Sequence, residues 1–212
     1  LRIPALAALL PKALPSKGLL VEWLEEGWGS GVETVAAACH LPLAAGRVWA
    51  VVEERGEFFP APFGELCQNH PLLVVRSREV KERYWAVEEC LRCSGVGLTW
   101  CRIDRPPPVV LRRWKLAVER GGGIGVLFRP KLHQKEPTWA DVRWLVTPVP
   151  GTPEGRRWQV ALLYSRGGFG TGVITLERHH ATGVVRVVSP VGHSTVSADG
   201  TCLTAAACRA IG

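Results

Sequence analysis

The stretch Glu25–Ala38, EEGWGSGVETVAAA, follows the apolar run LLVEWL (19–24) and opens a row of small residues. Residues 19–24 read as a strand. The glycines read as a tight turn, and about Glu33 to His40 as a short helix that Pro42 ends. A glycine-rich turn from strand to helix is the usual cradle for a phosphate. Its glycines let backbone N–H groups face the ligand, a lysine neutralises the outer phosphates, and a hydroxyl helps hold Mg²⁺. Anchored on Gly27 and Thr34, the motif puts Val32 at the second glycine and Glu33 at the lysine. Anchored on Gly31 as the second glycine, it puts Glu26, Val32 and Glu33 where Gly, Lys and Ser/Thr belong.

Neither register supplies the cation. Two like charges about 4 Å apart at an effective dielectric near 20 repel by roughly 4 kcal/mol. A helix N-terminus returns only about 0.3–1 kcal/mol. Gly27, Gly29, Ser30, Gly31 and Thr34 are therefore read as a vestigial loop, a tight turn with no bound nucleotide. The metal-holding half reads no better. After VGLTW come Cys101, Arg102, Ile103 and Asp104, and Arg102 takes the metal-facing place, where it repels Mg²⁺.

Outward from this stretch, apolar runs alternate with helical segments. RVWAVV (47–52), LLVVR (72–76), VGLTWCRI (96–103) and IGVLF (124–128) read as strands, and residues 53–70, with Pro60, Pro62 and Gly64, as irregular. One helix follows Ser77 as cap, with Val80, Tyr84, Val87 and Leu91 on its apolar face. Another starts at the prolines 106–108, buries Val110, Trp114, Ala117 and Val118, turns Arg112, Arg113 and Lys115 to solvent, and ends at Gly121–Gly123. This alternation predicts a mostly parallel sheet, over about 19–129, flanked by helices. DVRWLVTPV (141–149), RWQVALLYSR (157–166), TGVITLER (171–178) and GVVRVV (183–188), joined by turns such as PGTPEG and ATG, add antiparallel strands on the C-terminal side. The reading is one α/β domain over residues 1–189 and a tail, 190–212, without periodicity.

Bulk properties agree with a globular chain. Of 212 residues, 47% are apolar and 21% charged, and the net charge is +7. A basic surface suits nucleic acid, acidic protein or anionic lipid without choosing among them. With no Met in the chain, the N-terminus is read as the product of truncation, processing or another start codon. Seven Cys, several within apolar runs, point to a reducing, cytoplasmic setting rather than a disulfide scaffold. No apolar run reaches the roughly 18 residues of a membrane span. LRIPALAALLPKALPSKG has the length of a signal peptide, but prolines break its apolar part and a basic leader is lacking.

The order IPALAALLPKALPSKGLLVEWL, GWGSGVETVAAA, RVWAVVEE, LLVVRSREVKERYWAVEECLRCSGVGLTW, LRRWKLAVERGGGIGVLFRP and ADVRWLV resembles the RecA-type core. More closely it resembles the ImuA family, RecA-like accessory proteins of bacterial mutagenesis cassettes; the resemblance covers roughly residues 3–180. It implies a RecA-like fold and a part in error-prone translesion DNA synthesis after DNA damage (the SOS response). The partners it implies are RecA, an ImuB-like protein and an error-prone DNA polymerase. SulA, the division inhibitor, is a more distant likeness. The chain departs from RecA at the lysine, at the acidic strand, and after VLF, where Arg129 and Pro130 stand. Glu53 and Glu54 fall where RecA carries its water-activating carboxylate, but a general base with no held phosphate has nothing to attack.

Other candidates are weaker. Cys90-x-x-Cys93 is half a zinc site with no second pair at finger spacing; Cys202 and Cys208 are too far apart. His179 and His180 end a strand, so their rings diverge. Trp49, Trp100, Trp114 and Trp144 read as core, whereas Trp28 in the loop is a candidate for stacking on a base or partner. Arg112, Arg113, Arg156 and Arg157 are candidates for DNA or partner contact. The sequence thus predicts a non-catalytic RecA-like adaptor with no cofactor and no metal. The alternatives are a DNA-dependent ATPase, which would use ATP and Mg²⁺ with a lysine delivered from elsewhere, and a SulA-like cell-division inhibitor.

Overall fold

The computed structural model describes residues 3–10, 17–27, 29–44, 46–54, 56, 58–60, 63, 70–168 and 172–192. Trp28, Pro62, Gly64, Cys202, Cys208 and the tail beyond residue 192 lie outside the described residues. Among the described residues, nine strands form one sheet in the order β3-β2-β4-β5-β1-β6-β7-β8-β9. They are β1 (Leu19–Glu25), β2 (Val48–Glu53), β3 (Leu72–Arg76), β4 (Val96–Arg102), β5 (Ile124–Pro130), β6 (Val142–Thr152), β7 (Gly155–Ser165), β8 (Gly172–His179) and β9 (Val185–Gly192). β1 to β6 pair in parallel and β6 to β9 antiparallel. This is the mixed α/β architecture that the apolar runs predict.

The described helices are α1 (Pro4–Ala8), α2 (Val32–His40), α3 (Val80–Arg92) and α4 (Pro108–Gly121). Strand alternation sends Val21, Trp23, Trp49, Val51, Trp100, Val126 and Trp144 to one face, into a core shared with α1 and α2. Leu20, Ala50, Val52, Cys101 and Leu127 take the other face, beneath α3 and α4. The connection leaving β1 thus crosses one face and that leaving β4 the other, which opens a crevice at the carboxyl ends of these strands. None of the described helices is long and apolar enough to cross a membrane.

Several boundaries and burials differ from the sequence reading. Ser77 does not cap α3: its Oγ donates to the Glu79 carbonyl at 2.7 Å, and Glu79 holds the cap position with no side-chain bond. Val80 is therefore the first helical residue and stays 49% exposed instead of joining the core. Lys115, expected in solvent, is buried, because its Nζ meets Asp141 Oδ2 at 2.6 Å and the Gly18 carbonyl at 3.1 Å. β6 and β7 run on to a two-residue turn at Pro153–Glu154, and β9 reaches Gly192, past the expected start of the tail at 190.

A second ion cluster lies beneath the sheet. Glu22, in the middle of β1, is wholly buried and holds Arg129 Nη1 at 3.1 Å and Arg143 Nε at 2.6 Å. Arg129 also reaches Glu136 at 2.9 Å, and Arg143 bonds the carbonyls of Gln134 and Glu136. These contacts fasten the connection 131–141 between β5 and β6, which opens with a 3-10 turn at Lys131–His133. Glu136 is held below the usual carboxylate range: burial pushes it up, but bonds from His133 and Arg129 and the charge of Arg105 outweigh that.

Candidate functional site: a glycine-turn crevice closed by its own side chains

The turn from β1 into α2 has the backbone of a cradle. Gly29 and Gly31 take left-handed conformations, at φ +77° and +83°, and Gly31 is the N-cap of α2. The contents differ from those of a phosphate site. Arg102, at the end of β4, sets one guanidinium nitrogen on Glu25 and another on Glu33. Burial draws this guanidinium down to about 10, so it is still charged at neutral pH. Glu33, in the lysine's place, is half-buried and pushed up by burial. The residue expected to repel a metal therefore serves as counter-ion to two carboxylates of its own chain.

The loop is also clamped from the antiparallel half. Trp158 Nε1 donates to the Ser30 carbonyl at 2.7 Å, and a β-carbon on Gly31 would stand 2.8 Å from that nitrogen. Arg156 Nη2 donates to the Gly29 carbonyl, and its guanidinium lies 5.7 Å from the Trp158 ring centre. Ser30 Oγ donates to Glu25 Oε2 at 2.7 Å and accepts from Val32 N at 3.3 Å, while Ser30 N bonds the Gly27 carbonyl at 3.3 Å. Two of the loop's amides are thus spent internally. Thr34 is half-buried in the first turn of α2, its N–H on the Gly31 carbonyl at 3.0 Å.

Beside the loop lies an open cleft of about 1000 Å³ lined by Glu25, Glu26, Gly27, Glu54, Arg83, Arg102, Ile103, Asp104, Pro130, Lys131, Leu132 and Gln134. Its cations face acids: Arg83 reaches Glu54 at 2.6 Å, and Lys131 meets Glu26. Asp104 Oδ1 lies 2.6 Å from His133 Nε2. Glu53 is buried and pairs with Arg76 at 3.0 Å and with the Phe58 amide.

The four candidate arginines do not form one patch. Arg112 and Arg113 stand on α4; Arg156 and Arg157 are neighbours on β7, the first reaching the loop and the second 3.3 Å from Glu177. Among the described residues, no three His, Cys, Asp or Glu side chains converge as metal ligands; Cys90 is buried and Cys93 exposed. The Trp158–Arg156 clamp was missed from sequence, although Trp158 alternates with Val160 and Leu162 toward the core.

The fold defines the chain as an α/β protein with a mostly parallel, partly antiparallel sheet flanked by helices, and its glycine turn after β1 is filled by the chain's own ion pairs. Among known proteins, it is similar to Protein ImuA of Caulobacter vibrioides, with which it is 25% identical over an alignment 215 positions long that covers 87% of each chain. The same identity and coverage hold for the protein from a second strain of that species. No protein-family model matches the chain.

Proposed function

We propose that this chain is a non-catalytic, RecA-like accessory protein of DNA damage-induced mutagenesis. It acts by holding partners, namely RecA and an ImuB-like protein, and so supports error-prone translesion synthesis. The likeness to Protein ImuA supports the biological setting. The observation that carries the non-catalytic reading is Arg102 lodged between Glu25 and Glu33. Arg102 is already neutralised, and the surplus carboxylate faces any incoming phosphate at a cost of roughly 4 kcal/mol at about 4 Å. Titration with a fluorescent ATP analogue and Mg²⁺ tests it: no saturable binding is expected, and micromolar affinity overturns the reading. Co-purification with RecA and the ImuB-like protein of the same genome tests the adaptor role.

One observation favours the second reading, a DNA-dependent ATPase. Lys131 reaches the loop from the end of β5, where it meets Glu26. A lysine supplied from that side would replace the missing one. DNA-stimulated phosphate release that disappears in Lys131→Ala selects this reading over the first.

A further inference from the structure

The outer face of α4 carries the wrong residues for plain solvent. Leu111, Trp114, Lys115, Ala117 and Val118 mark its buried side. On the opposite side Val109 and Leu116, seven residues apart and so in line along the helix, are 63% and 50% exposed. Arg112, Arg113 and Arg120 surround them. Arg113 is tied to Glu88 of α3 at 2.5 Å, and Glu119, the acid on this face, is turned to Lys115 at 3.1 Å. Among the described residues, Arg112 and Arg120 have no acidic partner. Arg112 lies instead over the ring of Trp139, 5.7 Å from its centre and 42% exposed. On the neighbouring α3, Trp85 is 64% exposed.

We infer that this face docks an acidic segment of a protein partner, one that presents apolar side chains at helical spacing. Two aliphatic side chains in line, flanked by unneutralised guanidinium groups, complement an amphipathic helix with carboxylates at its edges. Nucleic acid fits less well: it would take the arginines and Trp139, but Val109 and Leu116 offer a base no flat surface to stack on. The surface is remote in kind from the closed loop, since it needs no bound ligand to be complete. It rests on the adaptor reading above.

The test uses purified RecA and ImuB-like protein from the same genome as probes, with affinities measured by biolayer interferometry. For wild type, binding to one of them is expected, weakening as salt rises. Val109→Glu/Leu116→Glu and Arg112→Glu/Arg120→Glu should each weaken it at least about tenfold. Leu163→Glu, at an exposed position of β7, should leave it unchanged. Circular dichroism checks folding, and the arginine pair carries the test if the first variant does not fold. Full binding by both variants overturns the inference and leaves the adaptor reading standing. Wild type that binds neither probe overturns both. If the variants keep protein binding but lose a single-stranded oligonucleotide, the face belongs to nucleic acid and the inference falls.

Discussion

His40 shows what burial does to a single residue. Its ring is fully enclosed and accepts a bond from Trp23 Nε1 at 3.1 Å through Nε2, which requires the neutral form. Burial lowers its pKa from 6.5 to about 3. In the unfolded chain it takes up a proton near pH 6.5, so the unfolded state binds more protons below that point. Its contribution to stability is complete above about pH 6.5 and is lost as pH falls toward 3. Thermal melts of wild type and His40→Gln should therefore converge as pH drops from 7 to 5. A constant difference would refute this. Thiols follow the same logic: burial pushes Cys39 up to about 12 and Cys90 to about 11. Iodoacetamide on the native protein should label exposed Cys93 and spare Cys39, Cys90 and Cys101, as read by peptide mass mapping. Glu22 is the residue on which most depends. Glu22→Ala takes a carboxylate from two buried guanidiniums and should cost about 3–5 kcal/mol in urea unfolding, against less than about 0.5 for exposed Arg112→Ala.

At the scale of elements, the β1–α2 turn is held by β7 as firmly as by its own glycines. Gly31→Ala adds a left-handed strain and drives a β-carbon against Trp158, which should destabilise by about 1–3 kcal/mol. Trp158→Phe frees the Ser30 carbonyl and should speed amide exchange over 27–32. The two changes share one contact, so a double-mutant cycle should be non-additive; additive costs would show that the clamp does not exist. The strands were legible as apolar runs, α2 from the glycine turn and proline that bound it, and α3 and α4 from their apolar faces. The cap of α3 was not: Ser77 looks like a cap, but its hydroxyl is taken by the Glu79 carbonyl. Lys115 and the Glu22 cluster were hidden for a different reason. Their partners lie 26, 107 and 121 residues away, and only the sheet order brings them together. A signal did exist, since LLVEWL, VLFRP and VRWLV each carry one charge inside an apolar strand. Strands that fall side by side with opposite charges form a pair. In the crevice, the missing lysine was visible at once, whereas the Arg102 bridge needed β4 placed beside α2.

For the whole molecule, the parallel and antiparallel parts are one sheet. β6 pairs with β1 on one side and with β7 on the other, and Trp144 stacks on Trp23 with ring centres 5.8 Å apart. A single calorimetric transition is expected, with the same midpoint followed by fluorescence and by circular dichroism; two resolved steps would contradict it. The seam also governs how the protein can be handled. A gene cut near residue 140 would leave β1 with a raw hydrogen-bonding edge, and Glu22 with one of its two guanidiniums gone. The other fragment would carry Trp144 and Trp158 with nothing to lie against. Each piece would offer the other kind of surface that makes chains stick, and the two should precipitate rather than reassemble. Anyone who wants only the loop or only the hairpins must take the entire chain.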